Sequence, residues 1–220
     1  MKILYFKQHG EYLRQLGDCI MALSNLEHYW NTEEPYDLLV CSEEWKLQYN
    51  ELVPLMQLSG PTHTYPHEHP RILRVFSKDH HETGTTTKVI QNWLHWGSPY
   101  IRAKRENLVR EEIDEPYWTF QTDRWEQQFI DPHSEELHNL VRQISGGQKL
   151  VHIGGRKQNL RDTLALMKYA QGHIGTDSGM MHLAMTIMEP HQVHCIHTGK
   201  QRWLGHVKQF KVKGGNLYVI

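Results

Sequence analysis

The segment from Gly172 to Ala184 constrains the fold most, because its residues predict a short strand, a polar glycine-containing turn and an apolar helix. Asp177 and Ser178 are both favourable N-cap residues. Gly175 and Gly179 carry no side chain, so the backbone can approach a ligand closely. A helix start of this kind exposes N–H groups and the positive end of the helix dipole. The segment therefore predicts either an anion-binding turn or an ordinary capped strand–turn–helix unit.

The rest of the chain alternates short apolar strands with helices. In the first half, the predicted elements are a strand at 2–7, a helix at 16–30, a strand at 36–41, a helix at 44–58 interrupted near Pro54, and a helix at 87–100. In the second half, they are strands at 117–122, 149–153, 173–175 and 191–197, with helices at 134–144, 159–170 and after Asp177. This alternation predicts an α/β fold with parallel sheets and crossover helices.

Composition and charge fit a soluble protein and identify no partner. The chain has 220 residues and a formal net charge of −1, enough length for one large or two small domains. Its apolar runs are far shorter than the ~20 residues that cross a bilayer, and no leader pattern opens the sequence. Cys19, Cys41 and Cys195 are widely spaced, which predicts free thiols in a reducing compartment. The expected location is therefore the cytoplasm, with no transmembrane segment.

Two segments resemble the heptosyltransferases, glycosyltransferase family nine. Leu160–Ala184 is similar to that family's leucine-rich helix, short strand and Gly-x-Asp-Ser-Gly-x-x-His-Leu-Ala turn, and Leu16–Leu26 resembles the Gly-Asp-hydrophobic start of its first helix. The resemblance implies a compact GT-B protein, in which two Rossmann-like domains face a cleft. Residues 1–112 would form the acceptor-binding domain, and residues 113–220 would form the nucleotide-sugar-binding domain.

The same resemblance implies transfer of a sugar from a nucleotide-diphosphate sugar to an acceptor hydroxyl, with inversion and without a metal or cofactor. Such chemistry needs a base and groups that stabilise the leaving diphosphate. The resemblance assigns Asp18 as the base. The residues expected at the donor diphosphate are Thr176, Asp177, Ser178, Gly179, Met180, His182, Thr122 and Arg124. The residues expected at the nucleoside are Gly154, Gly155 and Arg156.

Structural roles are also open for several of these residues. Asp18 in a first helical turn is explained equally by a favourable interaction with the helix dipole. Arg124 could form a surface ion pair with Asp123 or Glu126. His182, one turn into a helix, could be a hydrogen-bonded core residue. A nucleotide-binding module without transfer activity is therefore the alternative function.

The acceptor is open between a saccharide and a hydroxymethylated base in phage-type DNA. Aromatic residues mixed with basic ones allow a nucleic acid, among them Trp93, Trp96, Tyr100, Arg102, Lys104 and Arg105. The balanced charge argues against broad tracking of phosphates. The histidine-rich segment 61–88 matches no zinc pattern and predicts a solvated loop that could border the acceptor. The donor sugar, its base and the oligomeric state do not follow from the sequence.

Overall fold

The chain forms two compact units, Met1–Ile101 and Arg102–Ile220. The computed structural model describes residues 2–6, 16–32, 38–41, 51–59, 86–90, 99–106, 108–109, 113–121, 125–126, 129–154, 159–200 and 210–220. The sequence places the domain boundary after residue 112, and the assignment of acceptor and donor to separate domains stays a prediction.

The first unit contains a parallel sheet in the order β2-β1-β3. Its elements are β1 (Lys2–Phe6), α1 (Leu16–Thr32), β2 (Leu38–Cys41), a 3₁₀ turn (Val53–Leu55) and β3 (Thr86–Ile90). In the register, Ile3 pairs with Leu38 and Lys2 pairs with Thr86. Because β1 is central, the chain passes to both sides of it, as in a doubly wound fold.

Strand β3 corrects one sequence-based expectation. The sequence predicts a helix from Thr87, whereas Thr86–Ile90 is a strand paired with β1. Its Thr-Thr-Lys-Val-Ile composition explains the difference, because β-branched side chains lose less freedom in a strand than in a helix. Residues 91–98, which include Trp93 and Trp96, lie outside the described residues, as does the histidine-rich segment 61–85.

The second unit contains a parallel five-stranded sheet in the order β5-β4-β6-β7-β8. Its elements are β4 (Tyr117–Phe120), α2 (Glu135–Ser145), β5 (Lys149–His152), α3 (Leu160–Tyr169), β6 (His173–Gly175), α4 (Gly179–Ile187), β7 (Val193–His197) and β8 (Asn216–Val219). This is the 2-1-3-4-5 arrangement of doubly wound sheets. The strand order reverses between β4 and β6, so the topological switch point lies at their carboxyl ends.

Side-chain caps begin each of the three α-helices that the structure describes in the second unit. Ser134 accepts a hydrogen bond from the Leu137 amide at the start of α2, and Asn159 accepts one from the Asp162 amide at the start of α3. Ser178 accepts one from the Met181 amide at the start of α4. These caps confirm the helix starts predicted from the sequence.

The two faces of the five-stranded sheet differ in character. The face carrying Phe120 and Ile174 packs against α2 in an apolar cluster with Trp125 and Ile196. The opposite face carries Thr119, Gln121, His173 and Gly175, because side chains alternate along each strand and residue 119 pairs with residue 173. Helix α4 lies against α3, β6 and β7, and its residues from Met181 to Ile187 are buried.

Candidate functional site at the carboxyl ends of β4 and β6

The turn after β6 leads directly into α4 at the switch point. Gly175 ends β6, Thr176 and Asp177 form the turn, and Ser178 caps the helix that begins at Gly179. Open α/β sheets bind their ligands in this position, at the carboxyl ends of the strands where the order reverses. The fold therefore brings the most informative segment of the sequence to the expected ligand-binding edge.

The accessible part of this turn is confined to Ser178, Gly179 and Met180. These residues are half-buried, whereas the remaining residues from 172 to 188 are buried. The Met181 amide is occupied by the Ser178 hydroxyl oxygen, and the His182 amide donates to the Ser178 carbonyl. Among the described residues, no hydrogen bond uses the amides of residues 178–180. Three N–H groups of half-buried residues at a helix start, with no partner among the described residues, form an arrangement that suits an anion.

A side-chain hydrogen bond joins this turn to β4. The Ser178 hydroxyl donates to Gln121 Oε1 at 2.5 Å, and Gln121 follows the last residue of β4. Gln121 is only 3% exposed. No sequence pattern predicts a role for Gln121, because a contact between residues 57 positions apart leaves no local signal.

Below the turn, His173 fills the space next to Gly175. His173 Nδ1 lies 3.2 Å from Thr119 Oγ1, and a Cβ atom at position 175 would lie 2.9 Å from His173 Nε2. Burial lowers the pKa of His173 from 6.5 to about 3, and the nearby His194 acts in the same direction. Gly175 therefore makes room for an internal imidazole, whereas the sequence suggested that it makes room for a ligand.

Asp177 in the turn and His182 in α4 both have buried side chains. Asp177 Oδ1 is 3.8 Å from His182 Nε2. Asp177 also contributes, after burial, to raising the pKa of the Cys195 thiol. Asp177 precedes the N-cap and His182 is the fourth residue of α4, the two positions that a hydrophobic staple connects in other helices. The pair thus supports the turn from within the protein.

The structure describes only some of the other predicted site residues. Thr176 is fully buried, and its hydroxyl has no hydrogen-bond partner among the described residues. Gly154 follows β5 with a φ of 98°, a conformation that favours glycine. The backbone of Asp18 lies in the first turn of α1, and its side chain lies outside the described part of the chain. The remaining predicted residues, Thr122, Arg124, Gly155 and Arg156, lie outside the described residues.

Arg102 and Arg105 bind the opposite end of α4. Arg102 Nη1 donates to the Met188 carbonyl at 2.8 Å, and Arg105 Nη1 donates to the Ile187 carbonyl at 2.7 Å. The Ala103 amide adds a bond to the Thr186 carbonyl at 2.8 Å. Both arginines are among the basic residues that, from the sequence, could belong to a nucleic-acid-binding surface. Their guanidinium groups are instead engaged with the carboxyl end of a helix.

The described part of the chain contains neither a cluster of metal-binding side chains nor a membrane-spanning helix. The described residues contain no group of three or more His, Cys, Asp or Glu side chains that could hold a metal ion. None of the described helices is long and apolar enough to span a membrane.

The fold and the turn define an α/β protein with a capped helix start at its switch point, and comparison with solved structures identifies proteins of similar fold. Neither a family model nor a curated protein sequence matches the chain. One similar structure is the bacterial iron-containing dodecameric glycosyltransferase TibC from enterotoxigenic E. coli H10407. It has a TM-score of 0.56 and 14% identity over 91% of this chain and 59% of that chain.

A second similar structure is the dodecameric iron-containing heptosyltransferase TibC in complex with ADP-D-β-D-heptose. It has a TM-score of 0.50 and 13% identity over 84% of this chain and 56% of that chain. The chain thus spans less than two thirds of the length of both structures. At these identities the likeness shows a fold of the kind that glycosyltransferases have.

Proposed function

We propose that this protein is a glycosyltransferase that binds a nucleotide-diphosphate sugar at the N-terminus of α4. The observation that carries the proposal is the set of three amides of the half-buried residues Ser178, Gly179 and Met180, which form no hydrogen bond among the described residues and lie at the switch point. One of the two TibC structures contains ADP-D-β-D-heptose. The similarity in fold therefore supports a sugar attached to a nucleoside diphosphate as the ligand.

The amides would hold the diphosphate while the bond to the sugar breaks. Negative charge grows on the leaving diphosphate, and N–H groups fixed at the positive end of a helix stabilise that charge without reorganising. The first turn of α4, which the structure describes in full, contains no acidic residue to compete with the ligand. Ser178 itself contributes its backbone, because its hydroxyl proton is donated to Gln121.

The remaining roles in the proposal follow the family resemblance. Asp18 removes the proton of the acceptor hydroxyl, and the reaction inverts the anomeric carbon without a metal ion. Thr122 and Arg124 contact the diphosphate, and Gly154, Gly155 and Arg156 border the nucleoside. As the resemblance implies for a GT-B enzyme, residues 1–112 bind the acceptor and residues 113–220 bind the nucleotide sugar. A saccharide is the proposed acceptor, because the Arg102 and Arg105 guanidinium groups are already engaged with α4.

Binding is tested by calorimetry of the full chain with ADP, UDP, GDP and CDP, and with their sugar derivatives. The decisive variant is Met180→Glu, with Met180→Gln as its matched neutral control. A carboxylate in the first turn of a helix favours the fold but repels a diphosphate, so Met180→Glu weakens binding about tenfold or more without lowering the unfolding temperature. Met180→Gln keeps the affinity of the unmodified chain.

Catalysis is tested with the nucleotide sugar that binds. Asp18→Asn abolishes turnover and leaves donor binding intact, because the base acts only on the acceptor. NMR of the product shows an inverted anomeric configuration. Binding without any transfer or hydrolysis would identify a nucleotide-binding module, and no binding of any nucleoside diphosphate would contradict the proposed function.

A further inference from the structure

The bond between Ser178 and Gln121 connects the two chain segments that meet at the switch point. Ser178 caps the helix after β6, whereas Gln121 belongs to the end of β4. The Gln121 amide donates to the Ile174 carbonyl at 3.0 Å, so its backbone is part of the sheet. A residue anchored in the sheet therefore holds the hydroxyl that caps α4.

The Ser178 hydroxyl forms one hydrogen bond as donor and one as acceptor. A serine hydroxyl has one proton to donate and lone pairs to accept with. The oxygen accepts from the Met181 amide at 3.4 Å, and the proton goes to Gln121 Oε1 at 2.5 Å. Gln121 is buried, so water competes little for this bond. The rotamer of Ser178 is thus fixed from both sides.

The neighbouring glycine leaves room for the His173 ring beside Gln121. A Cβ atom at position 175 would lie 3.6 Å from Gln121 Cβ and 2.9 Å from His173 Nε2. Because position 175 is glycine, His173 on β6 and Gln121 at the end of β4 can lie next to each other on the same face of the sheet. The His173 ring and Gln121 Cβ both lie beside Gly175, and Gln121 Oε1 accepts the hydrogen bond from the Ser178 hydroxyl.

We propose that Gln121 is a positioning residue, which fixes the accessible amides of α4 relative to the end of β4 by holding the Ser178 hydroxyl. The proposal rests on the proposed function and assigns a new role within the same site. Preorganised donors stabilise an anion without the cost of ordering them during binding. Loss of the hydrogen bond between Ser178 and Gln121 therefore weakens diphosphate binding, even though Gln121 acts only through Ser178.

The test compares four forms of the full chain: unmodified, Gln121→Met, Ser178→Ala and the double variant. Methionine has a similar length to glutamine and lacks the acceptor oxygen. The matched control is Gln192→Met, because the Gln192 side chain donates to the Gln171 carbonyl at 3.0 Å. Gln192 precedes β7 and Gln171 precedes β6, so the control lies at the amino edge of the sheet, away from the site.

Calorimetry with the tightest-binding nucleoside diphosphate gives the first readout. We expect Gln121→Met and Ser178→Ala each to raise Kd about tenfold, and the double variant to bind no more weakly than Ser178→Ala. Gln192→Met stays within about twofold of the unmodified chain, although it loses two hydrogen bonds, one to the Gln171 carbonyl and one from the Glu189 amide. Unchanged affinity in Gln121→Met would overturn the proposal. Additive losses in the double variant would also overturn it, because they would indicate a direct contact with the ligand.

Amide hydrogen exchange without ligand gives a second, independent readout. The Met181 and His182 amides donate to Ser178, so their protection reports whether the first turn of α4 is held. We expect faster exchange of both amides in Gln121→Met than in Gln192→Met. If the unmodified chain binds no nucleoside diphosphate, the proposed function fails, and this exchange experiment still decides whether Gln121 fixes the turn. Equal exchange in the two variants would overturn that role.

Discussion

At the scale of single residues, Phe129 adopts a backbone conformation that normally belongs to glycine. Its φ is 60°, and its side chain is 62% exposed. The Ile130 amide donates to the Trp125 carbonyl, and the Phe129 amide donates to the Glu126 carbonyl. These two bonds are those of a Schellman motif, in which Phe129 occupies the left-handed position. The buried Trp125 and Ile130 hold the motif in place from within the core.

Replacing Phe129 by glycine should stabilise the protein. Glycine adopts the left-handed conformation without the steric penalty, so we expect a gain of about 1 kcal/mol in the free energy of unfolding. Urea denaturation measures it, and Phe129→Ala is the control because alanine keeps a Cβ atom. A gain of equal size in the alanine variant would indicate that the exposed ring, not the backbone, causes the strain.

His173 should make the stability depend on pH. Its pKa is about 3 in the folded protein and 6.5 when the chain is unfolded, so between these values the unfolded state binds more protons. Stability therefore increases from about pH 3 to pH 6.5 and is lost as the pH falls through this window. We expect His173→Gln to reduce the slope by up to about 1.4 kcal/mol per pH unit.

Urea denaturation at several pH values between 4 and 6 measures this slope. The difference between His173→Gln and the unmodified chain isolates one group, since every other titrating residue is common to both. Burial also lowers the pKa of His194, to about 4, with a contribution from His191. Identical slopes in the two proteins would show that His173 is not held neutral in the fold.

At the scale of helices and strands, local signals in the sequence predict helix starts well. Ser134, Asn159 and Ser178 were each followed by a helix, because a capping side chain acts on amides only a few residues away. The sequence did not predict β8 and assigned a helix where β3 begins. Both strands are short, and their pairing with β7 and β1 decides their conformation.

The candidate site shows the same division between local and distant causes. The capped turn before α4 was predicted, because its polar and glycine residues are adjacent in the chain. The burial of Asp177 was not predicted and that of His182 was one of two alternatives, because both depend on what packs around the turn. Gln121 was missed for a related reason: its partner Ser178 is adjacent only after β4 and β6 have paired.

Helix α4 should depend on arginines that lie outside the helix. Its last turn contains no basic residue of its own, and Arg102 and Arg105 bind its final carbonyls. We expect the double variant Arg102→Ala/Arg105→Ala to lose about 2 kcal/mol of stability, since charged hydrogen bonds to terminal carbonyls are removed.

The matched control for this pair is Arg142→Ala. Arg142 is an exposed residue in the last turn of α2, where a positive charge is favourable, and its loss should cost only about 0.3 kcal/mol. Urea denaturation compares the variants. Equal losses would mean that the bonds from Arg102 and Arg105 contribute no more than a surface charge.

At the scale of the whole molecule, the segment after Ile101 should decide whether the second unit folds alone. Ala103, Arg102 and Arg105 bind α4, and the Lys168 ammonium group of α3 donates to the Leu108 carbonyl at 2.8 Å. We expect a fragment of residues 102–220 to unfold cooperatively. A fragment of residues 113–220, which lacks these contacts, should unfold at a lower urea concentration. Equal midpoints would show that the segment adds no stability.

The arrangement at the two ends of α4 also determines how an anion experiences that helix. The helix is about 13 Å long, so the partial negative charge at its far end would normally offset much of the attraction felt at the turn. Arg102 and Arg105 cancel that far charge. An approaching anion therefore meets an unbalanced positive pole, whose attraction decreases with distance more slowly than that of a dipole. Salt limits its reach to about 8 Å under physiological conditions.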